Sequence, residues 1–256
     1  MSARVAVVTG ANRGIGRAIA VALGKDGYTV AATARDTASL KATIEDVEAF
    51  GGTVAALACD VRDEASVAAM ARAAAELGVV HTVVANAGVA GPTAPLHETS
   101  LAEWRDCLAT DLDGVFLTFR AFVPGLVAAS GGALIAISSM TGKRPLHGRS
   151  PYAAAKMGVL GLVRTLALEL GPHGIRVNAV CPGAVAGPRI DNVIARQAAA
   201  RGISEAAALA AFTDASPLGR LVEPAEVAAA CAYLASDAAA SITGEDLNVT
   251  AGVVMY

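Results

Sequence analysis

One rhythm constrains this chain more than any other feature. Short apolar, β-branched runs alternate with segments of helical periodicity from one end to the other. Residues 5–9 form the first apolar run, which stops at Gly10. It reads as a strand buried on both faces, because a half-exposed strand would alternate apolar with polar residues. Over 14–23, Ile15, Ile19, Ala22 and Leu23 recur at helical spacing. Further strands are expected at 28–33, 53–59, 82–85, 133–138, 175–180 and 247–249. Helices are expected at 37–50, with Thr37 as N-cap, and at 64–77. Others are expected at 101–129, kinked or broken by Pro124, at 152–170, and at 224–234 with proline near the first position. This alternation predicts a doubly wound parallel α/β sheet. The rhythm falters only over 186–222, where Gly187, Pro188, Pro217 and Gly219 surround a polar helix. A long excursion from a compact domain is expected to be a lid or binding segment.

Composition narrows the class. A chain of 256 residues, 54% hydrophobic and 17% charged, can bury a large core, which excludes intrinsic disorder. A single domain over 1–256 is expected, since no linker, repeat or low-complexity block appears. The net charge of −3 argues against a nucleic-acid surface. Mean hydropathy is +0.52, but alanine supplies much of it, and no stretch of ~18 uncharged apolar residues appears. No membrane contact and no secretory signal are expected, because the first ten residues run straight into a strand. Cys59, Cys107, Cys181 and Cys231 lie far apart, with no CxxC pair. Neither a metal site nor a redox pair is expected, and a reducing cytoplasm is the expected compartment.

Thr9-Gly10-Ala11-Asn12-Arg13-Gly14-Ile15-Gly16 sits between the first strand and the first helix. Gly10 permits a tight turn, Gly14 allows backbone to approach a phosphate, and Gly16 allows close helix–strand packing. The helix N-terminus adds N–H donors and partial positive charge for a pyrophosphate. A strand–turn–helix that simply needs flexible residues is the plainer alternative. Placement at the first strand–helix junction favours dinucleotide binding.

The spacing, G-x3-G-x-G, resembles that of the short-chain dehydrogenase/reductase family. Asn86-Ala87-Gly88 after the fourth strand is similar to the family's Asn-Ala-Gly element. Tyr152-Ala153-Ala154-Ala155-Lys156 resembles its Tyr-x-x-x-Lys motif, and Ser139 stands thirteen residues before Tyr152, as the family's serine does. The stretch 178–183 is similar to its element after the sixth strand. The resemblance spans essentially the whole chain. It implies a Rossmann-type doubly wound sheet of seven parallel strands, helices on both faces, and nicotinamide-dependent carbonyl/alcohol chemistry. It also implies a cofactor site of Gly10, Asn12, Arg13, Gly14, Ile15, Gly16, Arg35, Asp60, Val61, Asn86, Ala87, Gly88, Tyr152, Lys156, Pro182, Gly183 and Val185.

Hydride transfer to a carbonyl creates an alkoxide, which needs a proton and electrostatic support. Tyr152 can serve as the acid, or as the base in oxidation. A free phenol has a pKa of about 10 and needs help near neutrality. On a helix Lys156 lies one turn from Tyr152, where its ammonium favours the phenolate and can hold ribose hydroxyls. Ser139, at the carboxyl end of the fifth strand, can donate to the substrate oxygen. Ser138 is expected to be structural. The family's fourth catalytic residue is an asparagine in Asn-Leu-x-Gly, whereas this chain has Asp111-Leu112-Asp113-Gly114. Asp111 keeps an acceptor but loses the amide donors and brings a possible charge near Lys156. It is a working substitute, a mark of a slow enzyme, or a sign of a drifted relay. Ala155 also replaces the serine usual before the lysine.

The ribose-binding position should end the second strand, about 20 residues beyond the glycine turn. Ala34 stands there, so the acid that would take a 2′-hydroxyl is missing. Arg35 follows, and Arg13 precedes the second glycine of the turn. Two guanidinium groups favour a 2′-phosphate, hence NADP(H), with NAD(H) as the alternative. Substrate contacts are expected from 89–96, 140–149 and 184–212, a small-molecule carbonyl or alcohol being the expected partner. Arg144, His147, Arg149 and Arg189 lie around the expected mouth. They select an acidic substrate or are solvated loop residues, the second reading being preferred. The threonine that often follows the family's Pro-Gly is absent from Ala186-Gly187-Pro188. The apolar tail 248–256 departs from the family's Asp-Gly-Gly and points to a subunit interface, in a homotetramer or homodimer. A polyol or hydroxy-acid dehydrogenase, a 3-oxoacyl reductase and a catalytically weakened NADP-binding sensor remain as alternative functions.

Overall fold

The structure, a computed structural model, describes residues 4–256. Seven parallel strands form one sheet in the order β3-β2-β1-β4-β5-β6-β7. They are β1 (Arg4–Val8), β2 (Thr29–Ala34), β3 (Val54–Ala58), β4 (Val79–Ala85), β5 (Gly132–Ile137), β6 (Ile175–Pro182) and β7 (Asp246–Val249). Each expected strand is present. The largest boundary difference is at β4, which begins three residues early and shifts register against β1 between Val5 and Ala6.

Period-two alternation divides the core. Val5 and Val7 of β1 face one side of the sheet, where α3 (Glu64–Glu76), α5 (Gly114–Ala128) and α6 (Ser150–Leu170) pack around Met70, Phe119 and Leu160. Ala6 and Val8 face the other side, covered by α1 (Gly14–Lys25), α2 (Lys41–Glu48) with the turn before it, and α9 (Pro224–Ala235), through Ile19, Leu23, Leu40 and Leu234. Strands buried on both faces are why the sequence shows continuous apolar runs. No described helix is long and apolar enough to cross a membrane.

Three local expectations need correction. The turn Thr37–Leu40 is 3-10, and its cap is Asp36, not Thr37: the Asp36 carboxylate accepts from the Ala38 N–H at 3.0 Å. Asp outcompetes the residue after it because its short side chain reaches a backbone N–H two residues on. Pro124 neither breaks nor ends α5. The interruption falls earlier, at a π turn (Ala109–Asp113) that separates α4 (Leu101–Leu108) from α5. The excursion over 186–222 holds two helices instead of one, α7 (Pro188–Arg201) and α8 (Glu205–Thr213). They pack on each other through Ile190, Ile194, Ala198 and Ala208, a small cluster separate from the main core.

The order of strands changes direction of winding at β1 and β4. Such a switch leaves a crevice at the carboxyl edge of the sheet, where ligands bind in open α/β folds. The glycine turn, Asn86-Ala87-Gly88, Ser138-Ser139 and Gly183 all leave strands at that edge.

Candidate active site

The glycine turn is held open by its own geometry. Gly10 and Gly14 have φ of +63° and +54°, which favour glycine. A Cβ on Gly16 would lie 2.2 Å from the Gly10 carbonyl oxygen and 2.5 Å from Asn86 Nδ2. α1 starts at Gly14, and its N-cap residue Arg13 supplies no side-chain acceptor. The first-turn amides therefore retain donors for an anion. Asn12 and Ile15, both half-buried, complete the turn. Thr9 Oγ1 accepts from the N–H of Asn86 at 2.9 Å and of Ala87 at 3.0 Å. Asn86 Nδ2 donates to the carbonyls of Thr9 at 2.8 Å and Gly10 at 3.1 Å. Asn86 thus braces the turn with its side chain.

The Ala11 N–H donates to Thr33 O at 2.9 Å, which ties the turn to the end of β2. Arg13 and Arg35 consequently share one edge; both are exposed, and neither forms an ion pair among the described residues. Ala34 is buried. Asp60 is gripped by Arg62, at 2.7 Å between Nη2 and Oδ2, and that hydrogen bond lowers its carboxyl pKa, with Arg35 adding to the effect. Val61 packs beneath Gly114. The open glycine cradle and its uncapped helix terminus fit a nicotinamide dinucleotide.

On α6, Tyr152 and Lys156 stand one turn apart, with Nζ 5.6 Å from the ring centroid. Lys156 is buried, donates to Ile137 O at 3.0 Å, and lies 2.9 Å from Asp111 Oδ1. The Asp111 oxygen accepts no well-aligned hydrogen bond, so the contact is a buried ion pair. Burial alone depresses the Lys156 pKa, but the charge of Asp111 and the proximity of Tyr152 outweigh it, and the net direction is up. The group remains an ammonium. Asp111 is fully buried in the π turn, and its Oδ2 accepts from the Val89 N–H at 3.1 Å. A Cβ on Gly88 would sit 2.6 Å from Asp111 Oδ1, so glycine permits this approach. Ser139 is buried beside the same edge, its Oγ accepting from the Thr141 N–H at 3.1 Å. Ser138 instead donates to Lys156 O at 2.8 Å, a bond that binds β5 to α6.

The loop arginines divide. Arg144 and His147 are exposed. Arg189, on α7, is also exposed but donates to Gly88 O at 2.6 Å. Arg149 is not solvated: only 7% of it is exposed, it donates to Ala90 O, and its guanidinium carbon lies 4.9 Å from the Tyr152 ring centroid. Its position three residues before Tyr152 on a helix start was the signal for this contact. Pro182 is buried at the end of β6, and Gly183 lies against Thr250, whose backbone a Cβ would meet at 2.9 Å. Val185 bridges Val222, closing the base of the 186–222 excursion. A pocket of about 210 Å³ begins at Met140, the residue after Ser139, and lies between Met140, Leu146, Ala184, Phe212 and Val253. Its walls include Ser216, Arg220 and Thr250, which lie outside the three segments expected to contact substrate. A larger cavity, about 460 Å³, lies at the opposite edge by Arg4, Val79 and Gly132, away from these groups.

Comparison with known proteins agrees with this geometry. Residues 10–254 match the family model described as enoyl-(acyl carrier protein) reductase. A granaticin polyketide synthase putative ketoacyl reductase from Streptomyces violaceoruber is 40% identical over 98% of this chain and 93% of its own. The cis-4-hydroxycyclohexanecarboxylate dehydrogenase of Sinomonas cyclohexanicum is 42% identical over 97% of this chain and 96% of its own. Among solved structures, a variant actinorhodin polyketide ketoreductase with NADPH superposes with a TM-score of 0.95 at 36% identity, covering 99% of this chain and 98% of that one. Carveol dehydrogenase from Mycobacterium avium in complex with NAD gives 0.92 at 31%, covering 98% and 97%. With the strand order, the glycine turn and the Tyr152–Lys156 pair, these similarities establish that the chain is an oxidoreductase belonging to the short-chain dehydrogenase/reductase family.

Proposed function

We propose that this chain is an NADP(H)-dependent reductase of a ketone, or dehydrogenase of the matching secondary alcohol. The convergence of Ser139, Tyr152 and Lys156 on one edge of the sheet carries this reading. A bound nicotinamide supplies or accepts the hydride. Tyr152 gives its proton to the oxygen of the reduced carbonyl, and takes it back in oxidation. Lys156, kept cationic, favours the phenolate and holds ribose hydroxyls. The Ser139 hydroxyl orients the substrate oxygen. Asp111 holds Lys156 and the Val89 backbone together. Gly10, Asn12, Gly14, Ile15 and Gly16 hold the pyrophosphate; Asp60 and Val61 flank the adenine; Ala87, Gly88, Pro182, Gly183 and Val185 line the nicotinamide side.

Arg13 and Arg35 favour the phosphorylated cofactor, since Ala34 offers no acceptor to a free 2′-hydroxyl. The 186–222 segment serves as the lid over a mostly apolar pocket, which suits a cyclic or acyl ketone better than a polyol. Relatives named as ketoacyl reductases and as a hydroxycyclohexanecarboxylate dehydrogenase fit that shape. The chain works as a homo-oligomer in the cytoplasm. A panel of ketones and secondary alcohols, run with NADPH and with NADH, tests the reading. The expected result is turnover with a higher kcat/KM for NADPH. Cofactor binding without turnover across the panel would favour a sensor, and a preference for NADH would refute the arginine argument.

A further inference from the structure

Charge around the Tyr152 phenol does not balance as an ammonium beside a neutral amide would. Lys156 is paired with a buried carboxylate, Asp111, at 2.9 Å, so its positive charge is largely cancelled where the phenolate must form. A second buried cation, Arg149, stands against the same ring. Arg149 places its guanidinium carbon 4.9 Å from the Tyr152 ring centroid, and its Nε has no partner. A buried, half-satisfied guanidinium is costly and needs a compensating role. We propose that Arg149 is a positioning residue that restores the positive charge Asp111 removes, and so holds the Tyr152 phenol ready to ionise. The proposal rests on Tyr152 as the proton-transfer group.

The charged and titratable groups around Tyr152 come from four elements. From α6 come Lys156 and Arg149. From the π turn comes Asp111. From α4 comes Cys107, whose buried thiol is pushed up to about 11 and stays neutral. From α7 comes Arg189, whose field acts on both Lys156 and Arg149. Burial pulls the Arg149 pKa down, Tyr152 and Asp111 counter it, and a guanidinium remains charged through the working range. Among the buried groups, Lys156, Arg149 and Asp111 leave one net positive charge close by, as a lone lysine would beside an amide, and the exposed Arg189 adds a second, more solvated one. An opposite charge at ~4–6 Å typically moves an acid by about one to three pH units.

Tyrosinate absorbance titration of the full chain, with Tyr152→Phe subtracted to isolate one phenol from the four tyrosines, reads the effect without turnover. Arg149→Met should raise the Tyr152 midpoint by about one pH unit. Asp111→Asn should lower it, and the double variant should return it near the native value. Arg149→Lys, which keeps the charge, should stay close to native; if Arg149→Met does not fold, Arg149→Gln reads the same change. An unmoved midpoint in Arg149→Met or Arg149→Gln, or a double variant that keeps the Asp111→Asn midpoint, overturns the proposal. The kinetic pH profile for the best substrate of the panel should follow the same order. If the midpoints move but no substrate turns over, the charge balance stands and the enzymatic reading falls.

Discussion

At the residue scale, one phenol oxygen carries the proposed proton transfer, so its removal is the sharpest test. Tyr152→Phe should lower turnover by about 10²–10⁴-fold while NADPH affinity, read by fluorescence titration, stays near native. Near-native turnover would remove Tyr152 from the role. The proposed cofactor choice rests on the exposed Arg35 and the small, buried Ala34. Ala34→Asp with Arg35→Ser should shift the NADPH/NADH ratio of kcat/KM toward NADH by about 10–100-fold, the worth of one to two charge-assisted hydrogen bonds. Asp111→Asn should keep or raise kcat, because it frees the charge of Lys156 toward the phenol. It should also lower thermal stability, by up to about 3–5 kcal/mol, because a buried ammonium loses its counterion. A large fall in kcat with folding and NADPH affinity intact would make the carboxylate itself part of the proton path.

At the element scale, the helical run from Leu101 to Ala128 is interrupted where the Asp111 side chain meets Lys156. The π turn at Ala109–Asp113 widens the helix where Asp111 meets Lys156 and Val89. Pro124 survives inside α5 because it is exposed, so water can reach the carbonyl it leaves free. Its cost, about 3 kcal/mol, is offset by burial of Phe119, Phe122 and Leu126 at about 1.5–3 kcal/mol each. The glycine turn is less forgiving. Gly16→Ala puts a methyl against Gly10 O and Asn86 Nδ2. Backbone must shift, at a cost of about 1–3 kcal/mol, and the cradle shifts with it. A lower melting temperature and weaker NADPH binding are expected; unchanged binding would show that the turn does not touch the cofactor.

At the scale of the whole molecule, several of the exposed large apolar side chains lie on α5, α6 and the tail. Leu168 is 82% exposed, and Phe116, Met157, Met255 and Tyr256 are exposed as well. α5 and α6 carry the first three, which matches a subunit interface. Leu168→Glu should lower the mass measured by sedimentation, to half or a quarter of native; a native chain that already sediments as a monomer would refute assembly. The sequence alone determined the alternation of strands and helices, the sheet class and the edge that carries the candidate site. Those follow from local periodicity and from motifs whose members lie within a few residues of each other, such as Gly10 to Gly16 or Tyr152 to Lys156. The cap at Asp36 and the π turn were also local, but they depend on which of several adjacent residues wins a hydrogen bond, and periodicity is blind to that. Asp111 with Val89, Lys156 with Ile137 and Arg149 with Ala90 were decided only by tertiary structure. The partners in these contacts lie 19 to 59 residues apart, and burial turns their charges from solvated to decisive.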